Sequence, residues 1–197
     1  MNFDLLYDHF EQLGYEPHVF YHADSAVTFL KQYAAEKTVG FGGSMTCKEL
    51  DLYQALKDTA KALYWHWETP GEETLRQAMT ADLYLCSANA VTQDGMIVNL
   101  DGNGNRIAGT IFGPKEVVFI IGRNKIVPTL QDAYERIRNV AAPKNAKRLG
   151  KSTPCAQTGH CVNCKRPDSF CCVLSVHMRK PASIKGTVLL IDEDLGY

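Results

Sequence analysis

Apolar positions fall into short blocks along this chain, and the spacing inside each block sets the elements it predicts. Phe3, Leu5, Leu6, Phe10 and Leu13 recur at helical spacing and Gly14 follows as a stop signal, which predicts a helix over 2–13. Residues 18–21 read as a short strand, and Asp24 or Ser25 caps a second helix running to about Glu36. Thr38-Val39-Gly40-Phe41 reads as a buried strand; Gly42-Gly43-Ser44 ends it, with Ser44 the N-cap of a helix to about Lys57. A strand over 62–65 precedes a helix over 70–79, with Pro70 near its first turn and Glu72 and Glu73 near its positive end. Strands follow over 83–86 and, after the Asp94-Gly95 turn, over 96–100. Residues 117–121 are apolar throughout, as a central strand covered on both faces must be. An amphipathic helix over 130–140 and a last strand over 187–191 complete the pattern. Short apolar strands alternating with helices predict an α/β fold with a largely parallel sheet flanked by helices.

Composition fits one soluble domain spanning 1–197, at 45% hydrophobic and 22% charged residues. The first residues, Met1-Asn2-Phe3-Asp4, lack the basic and apolar regions of a secretory signal, so the expected location is cytoplasmic. No apolar run approaches the ~20 residues of a membrane-spanning helix. The net charge of −1 hides an asymmetry: from Lys144 to Lys185 there are nine lysines and arginines against one acid, Asp168. That basic stretch reads first as a solvated surface. It also favours thiolate formation in the cysteines it carries. Its one aromatic, Phe170, argues against stacking on nucleic-acid bases.

Five cysteines lie within eighteen residues of this segment, as C-x5-C-x2-C-x6-C-C: Cys155, Cys161, Cys164, Cys171 and Cys172. In a reducing compartment such clustering favours metal or redox chemistry over structural disulfides. The C-x2-C core fits zinc and an iron–sulfur cluster alike, and the choice between them stays open. The full spacing matches neither a two-knuckle zinc ribbon nor the bacterial ferredoxin run. Cys155, Cys161, Cys164 and Cys171 are the expected ligands; adjacent cysteines point in different directions, so one of Cys171 and Cys172 ligates and which of the two stays open, with His160 and His177 as possible substitutes. The cysteine segment, about 150–180, reads as an elaboration between the last helix and last strand. About forty residues are too few to fold alone without a metal.

Candidate chemistry elsewhere gathers after strands. In open α/β sheets ligands bind outside the carboxyl ends of the strands. Gly42, Gly43 and Ser44 form a turn that can approach an anion, with a tight turn plus N-cap as the plain alternative. Asn89 follows a buried strand and, if buried, must find hydrogen-bond partners. Asn105 and Arg106 close the Asp101-Gly102-Asn103-Gly104 stretch, itself read as a hairpin turn like Asp94-Gly95. Arg106 offers a planar fork for a carboxylate or phosphate, and Arg123 and Lys125 follow the central strand. Glu49 and Asp94 are the acid–base candidates. Gly95 joins the ligand-binding set. His66, between Trp65 and Trp67, reads as packing. Cys86 reads as core, and Cys47 has a helix N-terminus nearby that would lower its pKa.

The stretch from Ala81-Asp82-Leu83-Tyr84-Leu85 through Ser87-Ala88-Asn89-Ala90-Val91-Thr92 to Asn99-Leu100-Asp101-Gly102-Asn103-Gly104-Asn105-Arg106 resembles the core motif of the LUD-domain family (lactate utilisation, formerly DUF162). Gly113-Pro114-Lys115, Gly122-Arg123-Asn124-Lys125 and Ala142-Pro143-Lys144-Asn145-Ala146 extend the likeness over nearly the entire chain. The resemblance implies a fold like the glucosamine-6-phosphate deaminase, ribose-5-phosphate isomerase and CoA-transferase superfamily. It also implies a link to bacterial oxidation of lactate, where LUD proteins act with iron–sulfur partner proteins. The chain departs from the larger lactate-utilisation subunit by lacking its ferredoxin-like domain, and from the minimal subunit by adding the cysteine segment. Two functions follow as expectations. The first is an enzyme or redox subunit acting on a small anionic metabolite, a carboxylate or a phosphate. The second is a non-catalytic sensing or interaction module with a structural metal. A homo-oligomer is left open.

Overall fold

The computed structural model describes residues 2–197. In chain order the elements are α1 (Asp4–Gln12), β1 (Glu16–Phe20), α2 (Ala23–Tyr33), β2 (Thr38–Phe41), α3 (Met45–Glu49), α4 (Leu52–Leu56), β3 (Ala62–Tyr64), α5 (Glu72–Met79) and β4 (Leu83–Cys86). They continue with β5 (Ala90–Thr92), β6 (Ile97–Asp101), α6 (Asn105–Ile111), β7 (Glu116–Gly122), β8 (Ile126–Val127), α7 (Leu130–Arg136), α8 (Ala142–Arg148), α9 (Pro154–Thr158), β9 (Val173–His177) and β10 (Lys185–Ile191).

Six strands form one sheet in the order β1-β10-β7-β4-β2-β3, and every neighbouring pair in it is parallel. Alternation along β7 sends Val117, Phe119 and Ile121 to one face and Val118 and Ile120 to the other. On the first face they meet Phe3, Leu6 and Phe10 of the N-terminal helix region together with Val91 and Ile97 of a second sheet. On the second face they meet Leu30 of α2, Cys47 of α3, and Leu52 and Leu56 of α4. Both faces are dry, which is why these strands read as continuous apolar runs.

The second sheet has the order β8-β5-β6-β9. Its β5–β6 hairpin turns at Asp94-Gly95, with Gly95 at φ +88°. Antiparallel pairing of β9 with β6 returns the chain to the body after the cysteine segment. Ala133 and Ile137 pack against Ala90 and Val98 of this sheet. Sequence pattern gave no sign of β5, β8 or β9, which are short or lie inside the cysteine segment.

Three expectations are corrected. The helix after Ser44 is two helices, because Asp51 takes a left-handed φ of 46° between α3 and α4; aspartate is among the few residues that tolerate it. Gly102 to Gly104 is not a hairpin turn: it leads into α6, with Gly104 at φ +80° just before Asn105. The helix expected to end at Val140 instead continues through a π turn over Ile137–Ala141 into α8. The wide turn places the Ala142 amide on the Ile137 carbonyl, and Pro143, which has no N–H to give, follows it, while the Arg138 carbonyl accepts the Cys161 amide.

Helix α5 lies so close to β2 that only glycine fits at position 40, where a Cβ would stand 2.3 Å from the Ala78 carbonyl oxygen. Gly40→Ala is expected to lower stability by ~1–3 kcal/mol, the usual cost of overpacking. Urea denaturation of the variant beside the parent checks this.

Candidate functional site

Strand connections run in opposite directions on either side of the β2–β4 pair, since β2 leads outward to β3 while β4 leads inward to β7. Such a switch point leaves a crevice beyond the carboxyl ends of the two strands. A pocket of about 310 Å³ opens there. Gly43 and Ser44 come to it from the end of β2, Ser87 and Asn89 from the end of β4, and Lys125 from the end of β7. Asn105 and Arg106 enter from the first turn of α6. The π turn contributes Ile137 and Ala141, and α8 adds Asn145 and Arg148.

Asn89 is the hub. Its side-chain oxygen accepts from the Leu100 amide at 2.8 Å and from the Arg106 guanidinium at 3.0 Å. Its carbonyl accepts from Arg136 of α7, whose Nε also donates to the Asn124 carbonyl at 2.9 Å. Arg106 donates further to the Leu100 carbonyl at 2.8 Å. Asp101 accepts the Arg106 amide at 3.1 Å and the Ile107 amide at 3.4 Å, closing the start of α6. Its carboxylate lies 3.9 Å from the Arg106 guanidinium.

Lys125 is 3% exposed, and its Nζ donates to Thr46 Oγ1 at 2.8 Å and to Ser87 Oγ at 2.9 Å. Burial brings its amine down to about 7, helped by the positive charges of Arg136 and Arg106 and opposed by Cys47 and Glu49. Ser44 caps α3 by accepting the Cys47 amide at 3.2 Å. A five-residue helix carries little dipole, so the field in the pocket comes from side-chain cations. Cys47 itself has its thiol pushed up to about 11 by burial, opposite to the lowering expected from its place near a helix start. Cys86 is buried in the core and is raised further still.

Other residues singled out from the sequence sit apart. Gly42 lies just behind the pocket, where a Cβ would stand 3.0 Å from Arg106 Cγ. Asp94 and Gly95 form the hairpin turn; Asp94 accepts from Thr92 Oγ1, and a Cβ at Gly95 would collide with Leu13. Glu49 accepts the Gly196 amide at 2.5 Å and does not line the pocket. Arg123 points to the C-terminal segment, with Nε 2.9 Å from Asp194 and Nη1 3.1 Å from the Asp192 carbonyl. Asn124 holds the same segment through the Leu195 amide and the Gly196 carbonyl. The Gly-Arg-Asn-Lys block therefore divides its work: two residues tie down 192–196 and the fourth turns inward.

Several pocket residues carry no local sequence signal. His66 and Trp67 line it; burial lowers the His66 pKa, and its Nδ1 has no hydrogen-bond partner among the described residues. Arg148 lies over the Trp67 ring at 4.6 Å and donates to Asn145 at 3.1 Å and to the Tyr197 hydroxyl at 2.9 Å. Lys151 and Phe170 of the cysteine segment close one side. That segment is stitched to the body by the Cys161 amide on the Arg138 carbonyl and by the Cys172 amide on the Asp101 carbonyl, both at 3.0 Å.

All seven cysteines are free. Cys155 is buried on α9, with Cys161 and Cys164 half-buried and Cys171 and Cys172 exposed. Cys161 sulfur receives the Asn163 amide at 3.4 Å, and Asn163 adopts φ +57°. The Cys171 thiol is raised, because its sulfur is partly desolvated by the segment packed around it although the residue as a whole is exposed, and a hydrogen bond with Ser169 acts against that shift. Cys172 turns instead to the Ser169 carbonyl, 3.8 Å away. His177 is committed to the body, beside Thr110 Oγ1 at 3.2 Å and edge-on to Phe119. Among the described residues, no three His, Cys, Asp or Glu side chains stand together as a formed metal site. None of the described helices is long and apolar enough to cross a membrane.

The chain is thus an α/β protein with a parallel six-stranded sheet and a cation-lined pocket at its switch point. The LUD domain family model matches residues 4–191, and the chain belongs to that family. It is similar in structure to a DUF162 family protein from Deinococcus radiodurans, with 13% identity and a TM-score of 0.54 over 95% of this chain and 94% of that one. Weaker likenesses, at TM-scores of 0.33 and 0.34, are to ribose 5-phosphate isomerase A from Neisseria gonorrhoeae and eIF2B beta from Chaetomium thermophilum. The first has 16% identity over 55% of this chain and 52% of that one, the second 15% over 66% and 44%. No curated protein matches the chain in sequence.

The buried amine has a consequence for stability. Below pH 7 both folded and unfolded chains hold the Lys125 proton, and the folded state bears the full cost of burying it. Between about 7 and 10.5 the unfolded chain keeps the proton that the folded one has released, so this group makes stability rise with pH. The stability of the parent relative to Lys125→Met is expected to increase between pH 6.5 and 9.5. Paired denaturation curves at the two pH values check it; a difference that does not change with pH contradicts it.

Proposed function

We propose that this protein is an enzyme that takes a small carboxylate- or phosphate-bearing metabolite in the pocket at the β2–β4 switch point. One observation carries the reading: Arg106, Lys125, Arg148 and Lys151 face one cavity against a single acid, Asp101, already engaged by amides of α6. A concave site with excess positive charge and low-dielectric walls concentrates anions. Arg106 and Arg148 supply planar forks suited to two oxygens of one anionic group. Trp67 and Phe170 supply apolar walls for a short carbon chain. The buried amine of Lys125 favours an enzyme over a passive binding module, because a group near neutrality can exchange protons at physiological pH. His66, half-buried with a free ring nitrogen, is a second proton carrier.

The cysteine segment that walls the pocket is proposed to hold a soft metal through Cys155, Cys161, Cys164 and Cys171. Donor chemistry supports the fit: four soft sulfur donors lie on one segment rich in lysine and arginine, and the Cys161 sulfur already accepts the Asn163 amide at 3.4 Å. Bound zinc would brace this wall, whereas an iron–sulfur cluster would carry electrons to or from the pocket. Family membership is compatible with a role in lactate utilisation, and the small-anion pocket accords with a short hydroxy- or keto-acid.

Two outcomes are expected. Arg148→Gln, at an exposed position, should weaken inorganic phosphate binding about tenfold in calorimetry without lowering stability, as loss of one charge-assisted hydrogen bond does. Unchanged affinity contradicts the pocket reading. Protein purified without oxygen should contain near-stoichiometric zinc or iron, lost in Cys161→Ser. Metal-free protein that also ignores added zinc contradicts the metal reading.

A further inference from the structure

Lys125 has a partner geometry that its anion-binding role does not require. Its Nζ donates two hydrogen bonds, both to hydroxyls, Thr46 Oγ1 and Ser87 Oγ. Among the described residues it has no carboxylate within ion-pair distance and no third partner. No protein group among the described residues meets a third N–H of an ammonium, so that proton would have to be met from the pocket that Lys125 lines. A neutral amine has two N–H bonds to give, and giving both leaves its lone pair free. The charged and titratable groups around it are Arg106 of α6, Arg136 of α7, and Cys47 and Glu49 of α3. The last of these is engaged by the Gly196 amide. Nothing in that shell neutralises an ammonium at close range, and the two guanidiniums oppose it.

We propose that Lys125 is a nucleophile that forms an imine with the carbonyl group of an anionic aldehyde or ketone bound in this pocket. The inference rests on the pocket reading above and adds the substrate class. Arg106 and Arg148 would hold the carboxylate or phosphate while the carbonyl carbon meets Nζ. The lone pair forms the C–N bond as the carbonyl π bond breaks toward oxygen. The amine protons pass to that oxygen, by way of the Thr46 and Ser87 hydroxyls, and it leaves as water. Amine plus carbonyl gives imine plus water, with no change of oxidation state. A buried lysine that is partly uncharged at neutral pH is the state such chemistry needs.

The test is reductive trapping on the whole, unmodified protein. Glyoxylate and glyceraldehyde 3-phosphate are each incubated at pH 7 with cyanoborohydride, propanal serves as the uncharged control, and peptide mapping locates the adducts. One adduct per chain on the Lys125 peptide is expected, formed at least tenfold faster than on any other lysine. Propanal should show no such selectivity, and excess inorganic phosphate should suppress the labelling. Adducts spread over exposed lysines with Lys125 unmodified would overturn the proposal. If phosphate still binds in calorimetry, the pocket reading survives that result; if phosphate binding is absent too, both fall. Mapping needs no variant, so a failure of Lys125→Met to fold leaves the test intact.

Discussion

Three basic side chains drawn out of water around one asparagine are the constraint on which the rest of this molecule depends. Arg106, Arg136 and Lys125 approach Asn89 and its neighbours from α6, α7 and the end of β7, and among the described residues Asp101 is the one carboxylate within ion-pair distance of any of them. Arg136 is held by the carbonyl oxygens of Asn89 and Asn124, and Arg106 by the Leu100 carbonyl and the Asn89 side chain, with the Asp101 carboxylate 3.9 Å away from it. Carbonyl dipoles satisfy the N–H groups without cancelling the charge. The remaining positive field reaches the pocket, and its cost to folding is met by the dry, continuous core on both faces of the sheet. Burial first, and that field second, bring the Lys125 amine down to about 7, a shift that guanidinium groups do not undergo.

The fold serves this arrangement at three places. Opposite strand connections at β2 and β4 open the crevice. A helix that would otherwise stop at Pro143 passes through a π turn and carries Asn145 and Arg148 to the rim. The loop after β7 fastens 192–196 with Arg123 and Asn124 and thereby sets the direction of Lys125. The cysteine segment is a fourth wall, tied to Asp101 and Arg138 by backbone bonds, so a change in how its sulfurs are held would be felt where Phe170 and Lys151 meet the pocket.

The parallel sheet was legible because strands covered on both faces read as near-continuous apolar runs, as β4 and residues 117–121 of β7 do. Helix α6 was not, since Gly104 and Gly109 disguise it; Gly109 is required where the Tyr84 ring would stand 2.5 Å from a Cβ. Asn89, Arg106 and Lys125 could be grouped in advance by the rule that ligands meet the carboxyl ends of strands. The same rule swept in Asp94, Gly95 and Arg123. Sequence shows that a polar residue follows a strand but not which way its side chain turns, and these face a hairpin and a C-terminal segment. Arg136, Arg148 and Trp67 reach the site from helix and loop faces that look like ordinary surface in the sequence. Their convergence exists only in three dimensions.

A direct measurement of the central claim is a carbon-13 NMR titration of ε-labelled lysines, with the Lys125 signal assigned from a variant. One lysine should titrate near pH 7 in the free protein and shift to a higher pH when inorganic phosphate is added. If every lysine titrates near its ordinary value of about 10.4 with or without phosphate, the desolvated cradle described here does not exist.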